Sequence, residues 1–349
     1  MKKYKRHRDY GFFDQDIRLS KLTALGDPLH RLIEGVDFEI FRDELEKGLS
    51  KLSKGKGGRR PYDYVMMFKI LILQRYYNLS DEQVEFQIND RMSFMRFLDL
   101  SIADDIPDSR TVWHFREKLT DLGLIEKLFD LFLKELEKLG LIVNKGKIVD
   151  ASFVEVPKQR NKKQDNDQLK QGKVPEDWKE KPRKLAQKDT DAKWSKKNNK
   201  NHFGYKNHVK TDNESKLITK YKVTSANVHD SQVLADLLDE KDKGGALYAD
   251  SAYTGEEQEK IILKKGLQNK VHEKGYRNKP LTEQQKEKNR EKSKIRARVE
   301  HVFGFMENSM NGMEIRSIGF KRAEAIVGLS NIVYNMFRKI YLEKVISMG

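Results

Sequence analysis

Three carboxylates in this chain lie inside apolar sequence. The run from Gly245 through Leu247 to Asp250 and Tyr253 reads as a short buried strand that ends on one acid. A second strand, from Gly146 to Val154, places Asp150 inside an apolar run, with Ile148, Asp150 and Ser152 on one face. A helix around Ile295 to Gly304 sets Glu300 beside Val299, Val302, Phe303 and Met306. A buried charge is costly unless something compensates it. Two divalent ions about 3.5–4 Å apart can activate an attacking oxygen and stabilise the leaving oxygen of a phosphodiester. Magnesium takes hard oxygen ligands and keeps several waters, so two or three carboxylates suffice. Taken singly, each acid reads as a solvated strand end or a capping group. Taken together, on strand, strand and helix, they read as a two-metal phosphoryl-transfer site.

The third acid is the one with rivals. Glu256 and Glu257 open a helix, where carboxylates favour the helix dipole. Glu273 falls in an expected loop, and Glu307 lies two turns beyond Glu300 on nearly the same side. Arg296, one turn before Glu300, is placed to orient its carboxylate.

Composition agrees with a polyanionic substrate. The chain has 349 residues, with 69 Lys and Arg against 54 Asp and Glu, a formal net charge of +15. Such an excess favours nucleic acid, and no lone basic amphipathic helix points to a membrane surface. The absence of cysteine removes disulfides, thiol nucleophiles and zinc fingers together. The basic N-terminus is followed by no apolar core, so no signal peptide is expected, and the apolar run 65–73 is too short to span a bilayer. A cytoplasmic, nucleoid-associated protein with no membrane contact is the expectation.

The elements that must hold these residues fall into three parts. Residues 1–58 read as a polar, irregular arm with one helix over 37–52 and a basic Gly-rich hinge over 54–60. Residues 59–141 read as helices: one opened by Pro61 and stopped at Asn78, one behind a Ser80–Gln83 capping box, one capped by Asp108, and one over 124–139. The Asp108 helix turns Arg110, Thr111, His114 and Arg116 away from its apolar stripe, which suits a helix-turn-helix reading helix. Residues 142–349 switch to strands and then alternate with helices, an α/β sandwich with a mixed sheet. The segment 158–201 is too polar to bury a core of its own and reads as an insertion or mobile loop. Its Trp194 suits stacking on an unpaired base or, equally, anchoring the loop. The helix over 322–345 reads as amphipathic. Lys206, Arg110 and Arg116 are the expected contacts to DNA phosphates.

With Val149-Asp150-Ala151-Ser152, Gly204 to His208, Thr224 to Ser231, Ala249-Asp250-Ser251-Ala252-Tyr253 and Arg296 to Gly304, the chain resembles bacterial insertion-sequence DDE transposases. Within that group it is most similar to the InsH-like branch, sometimes called the IS-five family, over about residues 20–340. The resemblance implies an RNase H-like catalytic domain behind an all-helical N-terminal domain. It implies the acidic triad Asp150, Asp250 and Glu300 as catalytic and metal-binding residues, two Mg2+ ions with Mn2+ as a substitute, and Arg296 as a DNA contact. Where related transposases often carry Tyr and Lys around the Glu motif, this chain has Ser293 and Glu307. The implied partners are double-stranded DNA, both terminal inverted repeats and target DNA, and a second copy of the chain in a homodimer or larger assembly. Two other functions are compatible with the residues: a non-catalytic DNA-binding regulator derived from a transposase, and an RNase H-like nuclease without strand transfer.

Overall fold

The computed structural model describes residues 11–50, 60–197, 199–277 and 279–348. The basic hinge expected at 54–60 lies outside the described residues except for Arg60. Before the first strand every described element is helical: α1 (Asp14–Ala24), α2 (Pro28–Gly35), a 3-10 turn at Phe38–Phe41, α3 (Arg42–Ser50), α4 (Tyr64–Tyr77), α5 (Asp81–Asp90), α6 (Met92–Leu98), α7 (Ser109–Asp121) and α8 (Leu124–Lys138). The region before residue 37 is therefore not irregular. Asp27 caps α2 by accepting from the Leu29 amide, and Pro28 occupies its first turn. Leu29 and Leu32 of that helix are fully buried.

Local chemistry sets most helix ends. Asp63, rather than Pro61, starts α4 by accepting from the Met66 amide, and Asn78 closes it at φ 52°. The Ser80–Gln83 box forms both of its hydrogen bonds, and Asp108 caps α7 through the Thr111 amide. Gly140, at φ 67°, follows α8 in the left-handed conformation that glycine adopts without a Cβ penalty.

The sheet has six strands: β1 (Gly146–Glu155), β2 (Lys193–Lys197), β3 (Lys200–Asp212), β4 (Ile218–Ser225), β5 (Ala246–Tyr248) and β6 (Gln268–Asn269). Between β1 and β2 lie α9 (Lys163–Lys170), α10 (Glu176–Lys179) and α11 (Pro182–Leu185). Beyond β4 come α12 (Leu234–Leu237), α13 (Glu256–Lys264), α14 (Glu283–Arg296), α15 (Glu300–Asn308) and α16 (Phe320–Met348). β3 is antiparallel to β1, β2 and β4; β5 runs parallel to β1, and β6 parallel to β5. The expected mixed α/β sheet is present.

Helices cover both faces. Val149 and Leu247 pack with Leu234, Leu237 and Ile262 of α12 and α13. On the opposite face Ile148, Val209 and Ile218 pack with Val299, Val302 and the core of α16. That same apolar cluster continues without a break into α2, α3, α4 and α8. The N-terminal helices thus close their core against α16 instead of against themselves alone. This is also why α16 is not amphipathic: Ala323, Val327, Leu329, Ile332, Val333, Tyr334 and Met336 are all buried, around its whole circumference.

Residues 158–201 carry more structure than their composition suggests. Trp178 is fully buried, with Lys184 and Lys188 over its ring. Asp189, also buried, accepts from the Tyr205 hydroxyl at 2.7 Å, from the amides of Asp191 and Ala192, and from the Gly319 amide that precedes α16. One carboxylate therefore ties the segment to the sheet and to the last helix. Asp189→Ala leaves these donors unpaired in a buried place, at a cost of roughly 3 kcal/mol. Urea denaturation should show that loss; an unchanged midpoint and slope would mean the carboxylate anchors nothing.

Candidate active site

Parallel pairing aligns two of the three acids. Ile148 of β1 pairs with Tyr248, the last residue of β5; Asp150 lies two residues further along β1, and Asp250 two residues past the end of β5. Side chains alternate along a strand, so equal steps from a parallel pair bring both carboxylates to the same sheet edge. The Asp150 side chain is only 15% exposed. Burial pushes its pKa above the ordinary value and the charge of Asp250 adds to this, against the Ala151 amide and the Arg296 guanidinium. Asp250 caps the 3-10 turn Ser251–Tyr253, accepting from the Ala252 amide at 2.8 Å.

Glu300 is placed differently. The helix expected to run through it is broken by a 3-10 turn at Ala297–Val299, and Glu300 becomes the first residue of α15. Its side chain is 68% exposed. Arg296, at the end of α14, stands between the acids. One of its terminal nitrogens donates to Asp150 Oδ2 at 2.9 Å, and the other lies 3.9 Å from Glu300 Oε1. Arg296 Nε is buried without a hydrogen-bond partner among the described residues. The structure brings Asp150, Asp250 and Arg296 together and holds Glu300 at their rim. Among the described residues, no three His, Asp or Glu side chains are close enough to hold a metal ion together.

The donor set still fits a hard divalent cation. All three candidate ligands are carboxylates, two are adjacent, and the buried one carries an unfavourable ionisation that a cation would relieve. In this arrangement the positive charge beside Asp150 is a guanidinium.

Three further residues surround the pair, and two of them, His272 and Lys197, were not legible in the sequence. His272 donates its backbone amide to Ala249 O, which sets it beside Asp250. Its imidazole lies 3.3 Å from Ser293 Oγ, and burial, Arg296 and Lys292 lower its pKa. Tyr253 is buried within reach of the charges of both acids, and its hydroxyl has no hydrogen-bond partner among the described residues. Lys197, exposed at the end of β2, brings its charge close enough to lower the Asp150 pKa. The backbone signal for Tyr253 was present, since it closes the turn that Asp250 caps. His272 and Lys197 reach the site only through tertiary structure.

Two expected phosphate contacts are already committed. Lys206 is buried, pairs with Asp230 at 2.7 Å and donates to Val228 O. Arg116 makes two bonds to Asp81, at 2.6 and 2.9 Å, and one to Gln74. Both cations are engaged within the fold in the free chain. Arg110 is exposed on α7, as is His114. Trp194 is 41% exposed on β2, and its other side packs on Phe203 at 5.0 Å.

Residues 144–336 match the family model described as Transposase DDE domain, and residues 17–118 match the one described as Transposase domain (DUF772). Among solved structures the chain is similar to one titled "Cryo-EM structure of piggyBac transposase synaptic complex with hairpin DNA (SNHP)", at 12% identity and a TM-score of 0.48. That match covers 89% of this chain and 75% of the other, and is too distant to carry an argument about the site. Among the described residues no helix is long and apolar enough to cross a membrane.

Proposed function

The chain belongs to the DDE transposase family, and on that premise we propose that it cleaves the ends of an insertion sequence and joins the freed 3′-hydroxyls to target DNA. The observation that carries this reading is the parallel step from Ile148–Tyr248 to Asp150 and Asp250, with Arg296 bridging to Glu300. Asp150, Asp250 and Glu300 would hold magnesium, which when bound supplies activation of the attacking oxygen and stabilisation of the leaving one. Glu300, exposed at a helix start, has the freedom to turn toward the other two. Arg296, once a cation relieves it of Asp150, is left with donors for a non-bridging phosphate oxygen.

The bond changes balance without a redox partner. In the first step a water oxygen bonds to phosphorus, the bond from phosphorus to the 3′ oxygen breaks, and the water proton ends on the 3′-hydroxyl. In the second, that 3′ oxygen bonds to phosphorus in target DNA, the bond from that phosphorus to a target 3′ oxygen breaks, and the hydroxyl proton ends on the leaving 3′ oxygen.

An RNase H-like catalytic domain is supported by the antiparallel group β4, β3, β1 followed by the parallel strands β5 and β6. Within this reading, residues 59–141 recognise DNA ends and 142–349 carry the chemistry. The partners are terminal inverted repeats and target DNA, engaged by a dimer or larger assembly on the nucleoid, and the InsH-like branch remains our assignment on the motifs. The exposure of Glu300 favours one other reading, a DNA-binding regulator without catalysis. Duplexes bearing the inverted repeats that flank the coding region separate the two. Magnesium-dependent nicking followed by joined products is expected; binding with no nicking in magnesium or manganese leaves the regulator, and nicking without joining leaves a nuclease.

A further inference from the structure

Three cations gather around the turn between β3 and β4, and among the described residues only Arg298 has a carboxylate partner. Arg338 of α16 is 7% exposed, donates from Nε to Ser215 O at 2.6 Å and lies over the Tyr341 ring. The neighbouring Tyr334 hydroxyl donates to Lys216 O at 2.8 Å. Arg298, on the turn between α14 and α15, donates to Asn213 O at 2.9 Å and pairs with Glu214 at 3.3 Å. Among the described residues no carboxylate pairs with Lys216 or Arg338. Lys216 has its pKa lowered by burial and then by the charges of Arg338 and Arg298. Lys216 also holds φ 61°, a left-handed conformation in which a lysine is strained and a glycine is not. Three cations from three elements, one nearly buried and one on a strained backbone, face Glu214 and a buried Asp212 that is already bonded to Ser215 and paired with Lys147, an arrangement that leaves positive charge in excess.

We infer that Lys216 and Arg298, with the buried Arg338 behind them, form a seat for the phosphate backbone of duplex DNA running past the carboxylates. The inference rests on the transposase reading and adds where the DNA lies. Two observations select DNA as the occupant. The chain carries a net charge of +15, so its general partner is a polyanion. The seat is also continuous with the site: Arg298 lies between Arg296 and Glu300 in the chain, and Asn213 bonds to Gly146 O, four residues before Asp150 on β1. Four strand residues span about 13 Å, roughly four nucleotide steps at about 3.4 Å each. A strand with its reacting phosphate at Asp150 therefore has further phosphates within reach of these cations.

The test is duplex binding as a function of salt, by fluorescence anisotropy, with the full chain. Lys216→Gly removes the charge and suits the left-handed backbone, so loss of folding cannot account for its effect. The plot of log affinity against log salt should flatten by about 1 for Lys216→Gly and by about 2 when Arg298→Gln is added, since each lost phosphate contact removes about one released counterion. Lys216→Arg should keep the native slope. If the native chain binds DNA with a steep slope and both variants retain it, the seat is wrong and the transposase reading stands. If the native chain shows no salt-dependent binding, both fall.

Discussion

Asp150→Asn should abolish magnesium-dependent DNA cleavage while leaving the protein at least as stable as the native chain at neutral pH. The activity loss follows from removing a metal-binding charge at the reacting centre. It is expected to be at least on the order of 10^3-fold, the upper end of what one electrostatic contact there is worth. The stability claim follows from the sign of the Asp150 shift. Burial and the nearby Asp250 raise its folded pKa, and the Ala151 amide and Arg296 offset this only in part. Between the unfolded value of about 3.9 and the raised folded value, the folded state binds more protons than the unfolded state. Stability therefore falls as pH rises through that window, by linkage. Asparagine removes this term, so the difference in Tm between variant and native chain should grow in the variant's favour as pH rises above about 4 and then level off. Magnesium provides an independent readout: an ion that binds only the folded state raises Tm, and it should do so for the native chain and not for Asp150→Asn. A native chain whose Tm ignores magnesium, or a variant that still cleaves, would remove Asp150 from the metal site.

What the sequence could reveal about this site follows the range of the forces involved. Asp150 and Asp250 were legible because a strand's alternation and apolar setting are local. Their adjacency was not, since it depends on β5 pairing parallel to β1 across about a hundred residues. Lys206 and Arg116 show the opposite limit. A charge count finds cations but not those already spent, and their partners Asp230 and Asp81 lie 24 and 35 residues away. The Asp27–Pro28 cap of α2 was a local signal that the polar composition around it obscured. The break at Ala297–Val299 had no such signal, because neither proline nor glycine marks it. Trp178 and Asp189 warn against reading disorder from composition alone, since one aromatic ring and one carboxylate hold a largely polar segment in place.

Glu300→Gln should also eliminate cleavage, and it discriminates more finely because a second glutamate lies on the same helix. Glu300 opens α15 with its carboxylate 3.9 Å from the guanidinium that holds Asp150. Glu307 is seven residues further on and exposed. At 100° per residue it returns to within about 20° of the same side, but at about 1.5 Å per residue it stands roughly 10 Å further along the axis. Metal–carboxylate bonds are about 2 Å long, so the two acids cannot share one ion with Asp150. Val299 and Val302, both fully buried, fix the start of α15 against the sheet, so the backbone at Glu300 is held while its side chain is free to turn. The substitution keeps the shape and removes the charge. What it loses in the apo protein is a 3.9 Å, largely solvated pair with Arg296, worth about 0.3–0.5 kcal/mol. Denaturation midpoints should therefore barely move, and binding to transposon-end DNA should persist while nicking falls by on the order of 10^3-fold. Glu307→Gln should nick at close to the native rate. The reverse pattern, cleavage by Glu300→Gln and none by Glu307→Gln, would assign the third ligand to Glu307 and require α15 to slide by two turns.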